Sequence, residues 1–196
     1  AGMLYYTPQI WCSDNTDAIN RTRIQYGTSF GYPISTVGSH VSAVPNHQTG
    51  RRTSMRTRAT VAMAGSFGYE FDLTKLDKEE KEQIRKDIQT YKNYAPLIAN
   101  GDYYRLSDPY RDEVCAWSFV SGQKEECLLS TVQLRIEGNM KPLYVRLRGL
   151  QEHAKYRNTE TGEIYSADVL MEIGYLLPYI MEEYHSEQIH LALVQA

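Results

Sequence analysis

The sequence is poor in cysteine, in tryptophan and in unbroken apolar runs, and it carries no surplus of positive charge. Its three cysteines, Cys12, Cys115 and Cys127, are an odd number at unrelated spacings. That pattern matches neither the paired short spacings of a zinc site nor a secreted disulfide framework, so a reducing, cytoplasmic setting is expected. With 21 Lys plus Arg against 24 Asp plus Glu, the formal charge is -3, which argues against a nucleic-acid partner. The most apolar stretch, Val169 to Met181, is broken by Glu172, Gly174 and Pro178. Nothing nears the roughly 18 consecutive apolar residues of a membrane span, so no membrane is expected. The first residues, Ala1 to Tyr6, lack a basic region and a small-residue cleavage site, so they read as neither a signal peptide nor a natural N-terminus.

What is present suffices for a packed core: 42% of residues are apolar and 23% charged, without the bias of a disordered or collagen-like chain. Tyrosine supplies 16 of the aromatic side chains against two Trp and four Phe. Much aromatic surface therefore carries a hydroxyl that needs a partner, which predicts half-wet sites.

The pattern changes near residue 105. Before it, short apolar runs alternate with helical patterns, the mark of β/α units. Ile10 to Ser13 reads as a strand, Ala18 to Tyr26 as a helix stopped by Gly27, and Tyr32 to Val37 as the next strand. Gly38 to Arg52 reads as a long loop, Ser54 to Ala64 as a helix ending at Gly65, and Gly68 to Asp72 as a third strand. Over Asp77 to Asn100, Ile84, Ile88, Tyr91, Ala95 and Ile98 recur at helical spacing and predict one buried stripe. Asp77 with Glu80 is the start signal and Gly101 the stop, while Pro96 should end or bend the last turn. After Leu106, β-rich runs at 114–120, 126–136, 143–147 and 188–194 are punctuated by turn residues, which predicts an antiparallel all-β module. The organisation expected is three β/α units over 1–104 and a β-sandwich over 105–196. Three parallel strands cannot close a barrel, so further units are expected upstream.

The densest polar cluster, Trp11-Cys12-Ser13-Asp14-Asn15-Thr16-Asp17, falls where a strand hands over to a helix, the edge at which α/β folds build active sites. These residue types also cap helices. The alternative is that Asp14 or Asp17 is one of a glycosidase's paired carboxylates, with Trp11 offering an aromatic face to a sugar ring. His40 and His47 lack a nearby third ligand, so no metal is expected. Arg51, Arg52, Arg56 and Arg58 read as a salt-bridged helix face. Cys12 reads as a buried thiol in the absence of a neighbouring base. Gly65-Ser66-Phe67-Gly68 lacks the spacing and Lys of a phosphate cradle, so no nucleotide cofactor is expected.

The run from Ala1 to Ala18, with Thr7-Pro8-Gln9-Ile10-Trp11-Cys12-Ser13-Asp14-Asn15-Thr16-Asp17 at its centre, closely resembles the segment around the acid/base carboxylate of α-galactosidases in glycoside hydrolase family 36. The likeness continues through Ile24 to Ser29, Gly38 to Arg51 and Gly68 to Leu76. It is looser after residue 110, where Tyr165 to Met171 still looks like the family's C-terminal module. The resemblance implies α/β plus all-β architecture: the last three β/α units of a (β/α)8 TIM barrel, the sixth to eighth, followed by a C-terminal antiparallel β-sandwich. It implies Asp14 as general acid/base in a retaining hydrolysis of terminal α-galactosides such as melibiose and raffinose, with no cofactor and a homo-oligomeric, tetrameric assembly. Trp11, Cys12 and Asp17 are candidates for contacting the sugar, Asp17 first of all as a helix-start residue. The family's nucleophile is an Asp in a Lys-Trp-Asp motif, and its sugar-binding turn is Cys-Ser-Gly-Gly-Gly-Gly; neither motif occurs here. A retaining enzyme needs two carboxyl groups about 5 to 5.5 Å apart, so the 196 residues alone are expected to be inactive.

Two other readings compete. A galactosyl transferase of the raffinose- or stachyose-synthase kind, or an α-N-acetylgalactosaminidase, would share these motifs. A non-catalytic module would instead bind carbohydrate or another subunit through the sandwich and its tyrosines.

Overall fold

A computed structural model describes residues 2–139 and 141–194 and divides the chain into two compact units, Ala1–Ala99 and Asn100–Ala196. The division lies ahead of a strand at Asp102–Arg105, so the boundary anticipated at 104/105 falls inside an element of the second unit.

The first unit is built from parallel strand pairs and helices. Ile10 forms a single parallel bridge with Val37, less than the strand expected over 10–13. Strand β1, Gly38–Ser42, pairs in parallel with β2, Ser66–Glu70. The strand expected at 32–37 is thus displaced into the stretch expected to be loop. Pro33 leads into a 3-10 turn at Ile34–Thr36, and extended structure begins only where Val37 and Val41, both 0% exposed, enter the core. Gly65 is required for this closure, because a Cβ there would lie 2.3 Å from the Val37 carbonyl oxygen.

Helix α1 spans Ala18–Thr28 and runs through Gly27 rather than stopping at it. Glycine in a helix interior costs only about 1 kcal/mol. Helix α2 spans Met55–Ala62, capped by Ser54, whose Oγ accepts from Thr57 N at 3.1 Å.

Helix α3, Lys78–Asn100, opens with the expected box: Asp77 Oδ1 accepts from Glu80 N at 2.8 Å, and Glu80 Oε2 accepts from Asp77 N at 3.2 Å. It continues past Pro96 without ending early. Proline removes its own N–H, and Leu97 and Ile98, 6% and 3% exposed, bury the turn that follows. The buried stripe also differs from expectation, since Asp87 is 6% exposed while Ile88 is 37% exposed. Asp87 accepts from Tyr69 Oη at 3.1 Å and from Gln83 Nε2 at 2.8 Å, and Tyr91 Oη donates to the Gly65 carbonyl at 3.2 Å. Polar bonds as well as apolar contact therefore dock α3.

The second unit carries a six-stranded antiparallel sheet of β3 (Asp102–Arg105), β4 (Val114–Val120), β5 (Glu126–Gln133), β10 (Ser186–Leu193), β7 (Lys155–Asn158) and β8 (Ile164–Ser166), in that spatial order. A two-stranded sheet of β6 (Tyr144–Val145) and β9 (Tyr175–Leu176) and a short helix α4 (Ala167–Glu172) complete it. Antiparallel pairing is as expected, but the second layer is two strands rather than a matching sheet. One face of β4 and β5 packs Val114, Ala116, Val120, Cys127 and Leu129 against Val145, Leu147, Leu150, Leu170, Tyr175 and Leu177. Every residue of β4 is buried, so the strand is covered on both faces and does not show alternation. Burial pushes the Cys127 thiol up to about 12, the behaviour of an inert core cysteine.

Candidate active site

Because Ile10 and β1 run in parallel, the segments that leave them, 11–17 and 43–54, emerge at the same carboxyl edge of the strands. There they are stitched together. Asn46 Nδ2 donates to Thr16 Oγ1 at 2.9 Å, and Gln48 Oε1 accepts from Thr16 N at 3.1 Å. The 11–17 segment folds on itself through side-chain turns, with Ser13 Oγ accepting from Asn15 N and Asn15 Oδ1 from Asp17 N.

Asp17 is buried, 2% exposed. Its Oδ1 accepts from Asn20 N at 2.8 Å, which caps α1, and also pairs with Arg51. Its Oδ2 accepts from Thr49 Oγ1 at 2.7 Å. Both oxygens are thus engaged within the unit, and the role the structure displays is the helix-start and loop-tying one. Arg51 and its neighbours do not form one helix face, since α2 begins only at Met55. Arg51 pairs with Asp17, whereas Arg58 is buried and donates to the Ser42 carbonyl at 2.6 Å.

Asp14 is exposed. Trp11 Nε1 donates to its Oδ1 at 2.8 Å. The indole, 55% exposed, lies flat on the His40 imidazole with ring centroids 4.9 Å apart and planes 4° apart, an offset stack worth about 0.5–1.5 kcal/mol beyond its burial. His40 belongs to β1, not to a loop, and its side chain is 7% exposed. Its Nε2 lies 2.8 Å from Glu70 Oε2 on β2 without the alignment of a hydrogen bond. Burial lowers its proton affinity, Glu70 raises it and Arg21 lowers it, so the balance favours the neutral ring. His47 is exposed. Among the described residues no three His, Cys, Asp or Glu side chains gather to hold a metal ion.

Arg21 is the residue that sequence reading overlooked. It is 2% exposed and donates through Nη1 to the carbonyls of Ser13 (3.2 Å) and Asn15 (3.4 Å), the two that flank Asp14. Its Nη2 reaches the Gly38 carbonyl at 2.8 Å and Cys12 Sγ at 3.5 Å, and its Nε reaches Gln25 Oε1 at 3.4 Å. Cys12 is therefore half-buried against a guanidinium rather than enclosed in apolar surroundings. The available signal was position: Arg21, Thr22 and Gln25 share the helical spacing of Ala18, a buried face made of polar residues.

The arrangement presents the accessible carboxylate of Asp14, held through one oxygen, on a loop clamped by the buried guanidinium of Arg21. Such a group can deliver and retrieve a proton at a ligand above the strand edge. In the second unit, an apolar cleft of about 720 Å³ is bordered by Tyr165, Tyr175 and Tyr179.

Comparison with known proteins finds matches over nearly the whole chain. The melibiase family model matches residues 1–101, and the model of the glycosyl hydrolase family 36 C-terminal domain matches residues 114–191. The chain is 59% identical over 188 residues to the bifunctional alpha-galactosidase/sucrose kinase of Mediterraneibacter gnavus, covering 96% of this chain and 20% of that protein. It is 46% identical over 194 residues to an alpha-galactosidase of Geobacillus stearothermophilus, covering 99% and 26%. The solved galactosidase domain of the bifunctional enzyme superposes with a TM-score of 0.96 at 57% identity, over 98% of this chain and 27% of that one. A Geobacillus stearothermophilus family 36 alpha-galactosidase solved in complex with raffinose superposes with a TM-score of 0.95 at 45% identity, over 98% and 27%. The chain thus spans about a fifth to a quarter of the length of the curated relatives it matches.

Proposed function

The chain belongs to the melibiase family, glycoside hydrolase family 36, and from that premise we propose that it is the acid/base-bearing part of a retaining α-galactosidase. Its first unit would form the last three β/α units of a (β/α)8 barrel, the sixth to eighth, with the antiparallel unit as the C-terminal domain. The carrying observation is Asp14: an exposed carboxylate at the carboxyl edge of parallel strands, with Oδ1 engaged by Trp11. The substrate class is supported by the relatives, among them an alpha-galactosidase solved with raffinose and another form of it solved with stachyose.

In the complete enzyme, protonated Asp14 gives its proton to the glycosidic oxygen as the bond from that oxygen to the anomeric carbon breaks. A carboxylate supplied from outside these 196 residues attacks that carbon and forms the glycosyl-enzyme. Asp14, now a carboxylate, takes a proton from the water that attacks the same carbon and releases the sugar with retained configuration. Trp11 and Cys12 flank Asp14 as candidate walls for the sugar, while Asp17 contributes by tying the 11–17 and 46–51 segments together. The thiols Cys115 and Cys127, both buried and outside any disulfide, accord with a reducing, cytoplasmic setting, and a homo-oligomer completes the proposal.

The test is direct. Full-length protein carrying these residues should release galactose from melibiose and raffinose, and proton NMR of the first product should show the α-anomer. Asp14→Asn should lower kcat/KM on melibiose by about a hundredfold to ten-thousandfold, the range a positioned general acid supplies. An inverted first product, or an unimpaired Asp14→Asn variant, would overturn the assignment.

A further inference from the structure

An exposed aspartate on a loop can turn, yet proton delivery requires the proton on one particular oxygen. Trp11 Nε1 donates to Asp14 Oδ1 at 2.8 Å, and the indole is itself seated on strand β1. It stacks on His40 at 4.9 Å and 4°. It also lies so close over Gly38 that a Cβ there would come within 3.1 Å of Trp11 Cε3. Gly38 and His40 are alternate residues of one strand face, so together they form a flat shelf for the ring. His40 is confined in turn by burial, with its side chain 7% exposed.

We propose that Trp11 is a positioning residue for proton transfer by Asp14: its indole N–H occupies Oδ1, so the catalytic proton is carried on Oδ2, and the Gly38–His40 shelf fixes the direction in which Oδ2 points. The inference rests on Asp14 being the acid/base. In the first step the Oδ2–H bond breaks as the new O–H bond forms on the leaving group, whose oxygen keeps the electron pair of the broken glycosidic bond. The negative charge left on Asp14 faces the indole N–H, a charge-assisted hydrogen bond stronger than the one made to the neutral acid. In the second step the proton of the attacking water returns to Oδ2.

The distinguishing readout is dependence on the leaving group, measured as kcat/KM of the full-length enzyme on melibiose and on aryl α-galactosides of graded leaving-group acidity. Trp11→Phe keeps a ring on the shelf and removes the N–H. It should lose about tenfold on melibiose, the scale of one hydrogen bond to a charged group, and little on a dinitrophenyl galactoside that departs without protonation. Asp14→Asn should show the same pattern more steeply. His40→Leu, which removes the flat seat and leaves the N–H, should show it more weakly, and it carries the test should Trp11→Phe fail to fold. An equal loss across the whole series, or no loss on melibiose, overturns the positioning role. If Asp14→Asn itself shows no dependence on the leaving group, the acid/base assignment fails instead; if only Trp11→Phe lacks it, this inference alone falls.

Discussion

The two units bury different things. Before residue 100 the interior holds Asp17, Arg21, Arg58 and Asp87 together with Thr22, Gln25, Asn46, Thr57 and Thr60; after it, the buried polar residues are Ser118, Ser130, Thr131, Asn158 and Ser186, and none is charged among the described residues. The second unit's core is correspondingly continuous, from Val114 and Leu129 through Leu147 and Leu170 to Leu191. Burying a charge without full compensation is expensive, and a hydrocarbon core of similar volume is often at least as stable. The first unit carries the cost where it fixes the Asp14 loop: Arg21 binds the carbonyls on either side of Asp14, and Asp17 binds Arg51 and Thr49 of the facing loop. One unit is organised around holding a loop in place and the other around excluding water.

That contrast can be broken experimentally, most severely at Arg21. Arg21→Met in the full-length enzyme leaves the carbonyls of Ser13, Asn15 and Gly38 without their donor. Destabilisation of about 3–5 kcal/mol is expected, the scale for dismantling a buried charged network, together with loss of turnover on melibiose. Segment-resolved hydrogen exchange should place the loosening in 11–21 and 38–42; protection unchanged there would show the clamp to be dispensable. Leu191→Ala, at a position 0% exposed in the second core, should cost about 2–5 kcal/mol as transfer and cavity terms add, yet leave kcat/KM of the folded enzyme unchanged. A fall in kcat/KM at temperatures where the variant is folded would end the division of labour.

Tyr156→Phe should cost about 1 kcal/mol. The hydroxyl of this 0% exposed ring accepts from Gln151 N at 3.1 Å and donates to the Lys124 carbonyl at 2.5 Å, within the second unit. Urea unfolding checks the magnitude, and a loss as large as that of Leu191→Ala would mean that polar bonds matter there too.

The smallest effect is one of pH. Burial raises the Asp87 carboxyl above its ordinary 3.8, with Gln83 and Tyr69 pulling the other way. The native state therefore holds this proton to higher pH than the unfolded chain does, and the contribution to stability falls as pH rises from 3.8 through the folded value. Asp87→Asn should remove that fall in urea unfolding measured between pH 3 and 7. A wild-type and variant difference that stays constant across this range would show that Asp87 does not titrate in it.

Local chemistry was legible wherever the signal and its structural answer lie within one turn or one strand. The Asp77–Glu80 box opens α3 as read; the run expected at 114–120 is a strand, and the one expected over 126–136 is a strand over 126–133. Asp14 was singled out through resemblance, because residue types alone left it equal to Asp17 as a helix cap. The short strands β7, β8 and β9 escaped, since their few residues carry too little alternation to stand out. β1 was misplaced because Gly38-Ser39-His40 has a loop's composition, and only the partner strand β2 and the core around Val41 make it extended.

The sequence by itself determined the family and the capped helix α3, and it singled out Asp14 as the candidate carboxylate, because each is written in consecutive residues or in a repeat of three to four. Tertiary structure alone decided what surrounds Asp14 and its loop. Trp11 meets His40 and Gly38, Arg21 meets Gly38, and Asp17 meets Thr49 and Arg51. These partners are separated by 17 to 34 positions and are brought together only when parallel strands, joined by a helical crossover, settle into one register. No cap or periodicity rule encodes that register, because the pairing energy that sets it exists only once the strands have met.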